Sequence, residues 1–298
     1  MSSVPPTNEL ALGLTPPPPE RPELPDGVEP TSVLPRWKPV GVLFAFVIGL
    51  AASVIGVLLI GGIAVALGAD PKSLPSGVSL VLTLVQDAAF VGAALFVAST
   101  VARPEPWQFG LRGTAVGPFV GWLVVAFVAF DVFGLLYGKL VGIGPQKELP
   151  DALGVDGGAA ALVAAAFLVT VVAPVAEELF FRGYVFGALR NWKGTWVGAV
   201  LTGLLFGAIH IGSTPDVLYV PVLAVFGFVL CLLYVKTRSL YPCIVLHAVN
   251  NGVTFAGTRD GWDWETPVLL ASSLGTIALI ALLVRRFGGA APTVVAPG

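Results

Sequence analysis

Eight long apolar blocks run along this chain, near residues 40–69, 76–100, 117–142, 159–190, 194–212, 216–236, 240–257 and 266–284. A helix that crosses hydrocarbon needs about 20 residues. The pattern therefore predicts an all-α fold, a polytopic membrane helical bundle with about eight transmembrane helices. The fourth block is the longest. It is expected to span to about residue 180 and to continue as an amphipathic extension to Arg190. Asn191-Trp192-Lys193-Gly194 then makes a tight hairpin into the fifth block. Residues 101–116, with Pro104, Pro106 and Trp107, read as a loop with an aromatic anchor at the membrane interface.

Residues 1–39 differ sharply from the rest, being rich in proline and acid, with Pro16 to Pro19 in a row. Such a segment buries too little apolar surface to offset its ordering entropy, and it is expected to be a disordered cytoplasmic tail. The first 36 residues lack an apolar core, so no cleavable signal peptide is expected. The chain divides into the tail (1–39), three N-terminal transmembrane helices with their loops (40–158), a core of helices four to seven (159–257), and a last helix with a C-terminal tail (258–298).

Composition agrees: 56% of residues are hydrophobic and 11% are charged, against about 25% charged in an ordinary soluble domain. The net charge of −2 gives no basic field for nucleic acid. Cys231 and Cys243 both lie in apolar blocks and read as small core residues. Of the 16 Lys and Arg, twelve fall at one set of block ends, among them Arg36, Arg103, Arg112, Arg182, Lys193 and Arg238. Lys72, Lys139, Lys147 and Arg259 make up the other set. The asymmetry puts both termini in the cytoplasm. The bias toward alanine, valine, glycine and proline suggests a GC-rich bacterium and its inner membrane.

Titratable groups inside membrane blocks are expensive and point to function. Three successive blocks carry them here: Glu177-Glu178-x-x-x-Arg182, Phe206-x-x-x-His210 and His247-x-x-x-Asn251, which use both histidines of the chain. Glu178 precedes Arg182 by four, the favourable order for an ion pair on one helix face. Glu177 lies about 100° away and lacks that partner, which suits a base that takes a proton and returns it. Counting from the hairpin, Glu177 and His210 rise ~23 and ~27 Å along adjacent antiparallel helices, so they should reach nearly the same depth. Ala199, Gly203 and Gly207 form a small-residue stripe that allows close approach of a neighbouring helix. His247 and Asn251 share a face of the seventh helix and suit an oxyanion site. Gln86, Asp87 and Asp131 are weaker candidates. Spacing supplies them no partner, so a structural hydrogen bond or an access path is the favoured reading. His-Glu-x-x-His, the helical zinc-protease signature, and Gly-x-Ser-x-Gly are both absent.

In these residues the chain resembles the CPBP family of intramembrane peptidases, which includes CAAX-processing enzymes and the bacteriocin-processing or immunity relatives of the Abi group. The family pattern, Glu-Glu-x-x-x-Arg, Phe-x-x-x-His and His-x-x-x-Asn or Asp, is met at Glu177, Glu178, Arg182, Phe206, His210, His247 and Asn251. The similarity covers about residues 160–255. It implies a glutamate-dependent endopeptidase that acts on a membrane-associated protein or peptide. Glu177 would activate water with help from His210. His247 and Asn251 would line the oxyanion site, and Glu178, Arg182 and Phe206 would support them. It implies no obligatory cofactor; metal stays an alternative, since carboxylate and imidazole suit zinc. The implied partners are the substrate and the lipid bilayer. The alternative reading is a non-proteolytic scaffold or bacteriocin-immunity protein of the same fold.

Overall fold

A computed structural model describes residues 35–143, 159–211, 217–257 and 265–287. The tail expected to be disordered falls outside the described residues up to position 34, as does the C-terminal tail after 287. Eight helices follow one another among the described residues: α1 (Pro39–Ala66), α2 (Ser76–Ser99), α3 (Val116–Val141), α4 (159–193), α5 (194–208), α6 (Val220–Thr237), α7 (Tyr241–Gly257) and α8 (Glu265–Phe287). Apart from one isolated bridge between Asp70 and Ser73, they contain no β-structure. Six helical runs are long and apolar enough to cross a membrane where eight were expected. α4 and α5 count as one run, Ala160–Ala208, and α7 has only 17 residues. The chain is an all-α polytopic membrane bundle.

The hairpin forms at one residue. Between α4 and α5 only Gly194 leaves helical geometry, with φ 77° and ψ 178°, a conformation that a side chain disfavours. The small-residue stripe of α5 then lies against α6. A Cβ on Gly203 would sit 2.5 Å from the Ala224 carbonyl oxygen, and one on Gly207 would sit 2.7 Å from that of Val220. Without hydrophobic drive between helices in lipid, such close approach is what holds them.

The expected amphipathic extension after residue 180 is not there. Phe180, Phe181, Tyr184, Val185, Phe186, Ala188 and Leu189 are all buried, on every side of the helix. Phe180 packs on Phe46 and Phe90, Phe181 on Phe206 and Phe186 on Tyr234, while Gly183 is covered by the loop after α2. Its short 3₁₀ turn, Pro106–Phe109, is closed by a reciprocal Glu105–Gln108 cap, and Phe109 packs on Gly183. Trp37, assigned to the tail by sequence, is buried beneath this roof, 4.9 Å from the Phe109 ring and 5.2 Å from that of Tyr184. The roof is latched to the turn between α6 and α7. Arg112 Nε donates to the Arg238 carbonyl (2.6 Å), Ser239 Oγ donates to the Arg112 carbonyl (2.6 Å), and the Leu240 N–H donates to the Gly110 carbonyl (2.8 Å). Asn191 Nδ2 ties the hairpin to the Pro35 carbonyl at 3.1 Å. Four segments that the charge alternation placed on one membrane side thus meet at one end of the bundle.

Candidate active site

The acid pair lies deep in α4, between two wide π-helical turns, Leu168–Val172 and Leu179–Val185. Pro174 accounts for the first. It brings no N–H to the helix, and its ring crowds the carbonyl four residues back. In the π register the carbonyl that residue 174 would have served is that of Val169. Asn251 of α7 fills the gap, donating from Nδ2 to the Val169 oxygen at 3.0 Å.

Glu178 and Arg182 form the ion pair that their spacing predicts. Arg182 Nε is 3.0 Å from Glu178 Oε2, and both side chains are fully buried. Arg182, grouped by sequence with the basic residues at block ends, is therefore a core residue. Its guanidinium lies over the Phe206 ring, 4.7 Å from the centroid, which adds a cation–π attraction in a dry setting.

Glu178 also holds His247. Its Oε1 is 2.8 Å from His247 Nδ1. A carboxylate paired to arginine only accepts, so Nδ1 carries the hydrogen and donates. The other ring nitrogen, Nε2, then faces Glu177 Oε2 at 3.8 Å. A continuous line of polar groups runs Arg182, Glu178, His247, Glu177 across α4 and α7. The two acids differ in access. The Glu177 side chain is 22% exposed and that of Glu178 is not exposed at all.

Phe206 is the hub of the aromatic surround. Its ring lies 5.0 Å from that of His210 and 5.8 Å from that of His247. Phe226 of α6, which the sequence argument overlooked, packs edge-on to His247 at 5.3 Å. His210 Nδ1 lies 2.7 Å from the Phe206 carbonyl oxygen. That oxygen can only accept, so Nδ1 donates, and in the neutral ring Nε2 keeps the lone pair. The structure thus brings Glu177, Glu178, Arg182, Phe206 and His247 into one connected cluster. His210 joins it through Phe206, and Asn251 through the backbone of α4. Asn250 Nδ2 lies 3.4 Å from Asn251 Oδ1. Among the described residues no three His, Cys, Asp or Glu side chains converge as a metal-binding group.

The candidate site and the family resemblance fall on the same stretch of chain. Residues 159–253 match the family model "Type II CAAX prenyl endopeptidase Rce1-like". Over 168 residues the chain is 24% identical to "Putative membrane peptidase YdiL" of Bacillus subtilis, covering 53% of this chain and 65% of that protein. Over 92 residues it is 33% identical to "Membrane-embedded CAAX protease MroQ" of Staphylococcus aureus, covering 29% of this chain and 36% of that protein. It is also 28% identical over 141 residues to an uncharacterized 24.3 kDa protein of Escherichia coli, 46% of this chain and 64% of the relative. Each match spans less than two thirds of the relative's own length. No solved structure matches. The resemblance read from the three motifs is borne out: in the helices that carry the acid pair and both histidines, this integral membrane protein is similar to the Rce1-like CAAX endopeptidase family.

Proposed function

We propose that this chain is an intramembrane endopeptidase that hydrolyses a peptide bond of a membrane-associated protein or peptide, using a water activated by Glu177. The observation that carries the reading is the line from Arg182 through Glu178 to His247, which ends facing Glu177. Peptide hydrolysis needs a base to take a proton from water, a donor for the developing oxyanion, and a group to hold both in place. Glu177 is the more exposed acid and has no fixed counterion. Its Oε2 lies 3.8 Å from His247 Nε2, and the attacking water is the one that bridges this pair in the reaction. Glu178, held by Arg182, orients the imidazole and stabilises it when it is doubly protonated, the part that a buried carboxylate plays behind a catalytic histidine. Glu177 takes the water proton as the hydroxyl oxygen bonds to the carbonyl carbon and hands it to His247 Nε2, 3.8 Å away. The ring so protonated donates from Nε2 to the oxyanion and gives that proton to the leaving nitrogen as the carbon–nitrogen bond breaks. Asn251 keeps a second amide hydrogen for the same oxygen, and His210 Nε2 is set to shuttle a proton. The reaction so described uses no metal, and we expect turnover to survive chelators. One tightly held zinc per chain, with activity lost on its removal and regained on its return, overturns that part.

Membrane proteomics of a deletion strain beside a Glu177→Ala strain is the decisive experiment. A precursor that accumulates in both establishes proteolysis and names the substrate. A phenotype of the deletion that Glu177→Ala fully complements supports the non-proteolytic scaffold instead. In the same proposal both termini and the α4–α5 hairpin lie in the cytoplasm. Reporter fusions at residues 192 and 238 should read as cytoplasmic and one at 145 as extracytoplasmic; a cytoplasmic signal at 145 overturns this topology.

A further inference from the structure

Pro174 is buried in α4, three residues before Glu177, and follows directly on the wide turn Leu168–Val172. In that register the Val169 carbonyl would take its hydrogen from residue 174, and proline has none to give. Backbone at membrane depth must find a partner, and a neighbouring helix can supply it. The partner is Asn251 of α7, 82 positions on, whose Nδ2 donates to the Val169 oxygen at 3.0 Å. At its other end the same amide meets Asn250, with Oδ1 3.4 Å from Asn250 Nδ2. One Nδ2 hydrogen is thereby engaged and one is left. The two helices dock closely at this point: a Cβ on Gly252 would already meet Thr170 Cγ2 at 3.7 Å. The Thr170 hydroxyl, which belongs to the same turn, is taken up elsewhere. It donates to the Ala166 carbonyl at 2.6 Å and lies 2.6 Å from Ser273 Oγ.

We propose that Pro174 is a positioning residue of the site: by bringing no N–H, it reserves the Val169 carbonyl as the anchor of Asn251. Asn251 shares a face of α7 with His247, one turn away, and His247 Nε2 faces Glu177 Oε2 at 3.8 Å. The anchor fixes the plane of the Asn251 amide and the aim of its second hydrogen. A donor for an oxyanion works because it is held in place before charge develops. An alanine at position 174 undoes this in either helical register. If the wide turn persists, the new N–H of residue 174 serves Val169. If the turn closes to α geometry, the N–H of Ala173 serves it, four residues on. In both cases Asn251 loses its acceptor and its amide is free to turn. Pro174 itself touches no substrate and acts through one carbonyl and one side chain.

The role in turnover rests on the peptidase reading, whereas the anchor does not, and two readouts separate them. The full-length chain is purified in detergent as wild type, Pro174→Ala, Asn251→Ala and the double variant. A further form carries lactic acid at position 174, introduced by nonsense suppression; it has the side chain of alanine and, like proline, no N–H. The first readout is melting. In the wild-type background Asn251→Ala strands a buried carbonyl and should lower the melting temperature. In the Pro174→Ala background the same substitution should lower it no further. Equal losses in both backgrounds overturn the proposal. The second readout is cleavage of the precursor that accumulates in the Glu177→Ala strain. Pro174→Ala should lower kcat about 10- to 100-fold with KM unchanged, and the double variant should be no slower than Asn251→Ala alone. Lactic acid at position 174 should return most of kcat, whereas a loss caused by the missing proline ring would persist. Wild-type kcat in Pro174→Ala, or a loss that lactic acid does not relieve, overturns the proposal even if Glu177→Ala accumulates precursor. A melting cycle that couples as expected, with no precursor in the Glu177→Ala strain, upholds the anchor and removes the peptidase reading together with the role in turnover.

Discussion

α1 and the α4–α5 run are both apolar enough to cross a membrane, with peak mean hydropathies of 2.8 and 2.1, yet they live in different solvents. Of their most apolar windows, 17% of α1 is buried inside the protein against 44% of the α4–α5 run. Leu43, Phe44, Val47, Leu50, Leu58 and Leu59 of α1 are each more than half exposed, as lipid-facing residues should be. Phe180, Phe181, Phe186 and Phe206 are buried and meet one another or their neighbours edge-on. Hydropathy therefore identifies a membrane helix but not its place in the bundle. Small residues, aromatic rings and titratable groups do that, because only protein contact repays them.

The contrast can be broken at graded depths. The largest effect belongs to Glu177→Gln, which should abolish processing of the accumulated precursor while melting in detergent stays at the wild-type value. Next comes Glu178→Gln, which strands Arg182 as an uncompensated buried charge. Breaking a buried pair from one side costs about 3–5 kcal/mol, so this variant should melt far earlier or express poorly. Glu178→Gln combined with Arg182→Met removes both charges and should recover much of the melting loss. If Glu178→Gln alone is stable and inactive while Glu177→Gln still turns over, the roles of the two acids are exchanged. A smaller loss is expected for Gly203→Ala, about 1–3 kcal/mol from forced separation of α5 and α6, read as a lower melting temperature; an unchanged one would show that the helices yield easily. Least of all, Leu58→Ala on the lipid face of α1 should stay within about 0.5 kcal/mol. A loss of several kcal/mol there would mean that α1 faces protein rather than lipid.

Much of this arrangement was legible in the residues. The apolar blocks marked the helices to within a few positions, Gly194 closed the hairpin, and the glycine stripe of α5 found its neighbour. The four-residue spacing of Glu178 and Arg182 gave their ion pair outright. What the spacing did not carry were contacts between elements distant in sequence. Nothing local says that Trp37 folds under Phe109, so it read as tail. Asp87 read as a lone polar residue, because the packing of α2 on the acid-bearing segment of α4 is not written in local spacing. The first π turn was also hidden: Pro174 was visible as a residue without an N–H, but that Asn251 would serve the freed carbonyl depends on how α7 docks. His247 was legible as part of the site, but not that Glu178 would hold its Nδ1 and turn Nε2 toward Glu177.

The latch between the loop after α2 and the turn before α7 has a bearing on biogenesis. Two of its hydrogen bonds join residues 126 and 127 positions apart. During synthesis the loop emerges long before Arg238, Ser239 and Leu240 exist, and α3 to α6 must be made in between. Until then nothing from the later turn secures the roof over Gly183 and Tyr184. The latch can only close after α6 is in place, so Gly183 and Tyr184 are roofed late in assembly, and a nascent chain arrested before Ser239 lacks two of the three hydrogen bonds that hold the roof down.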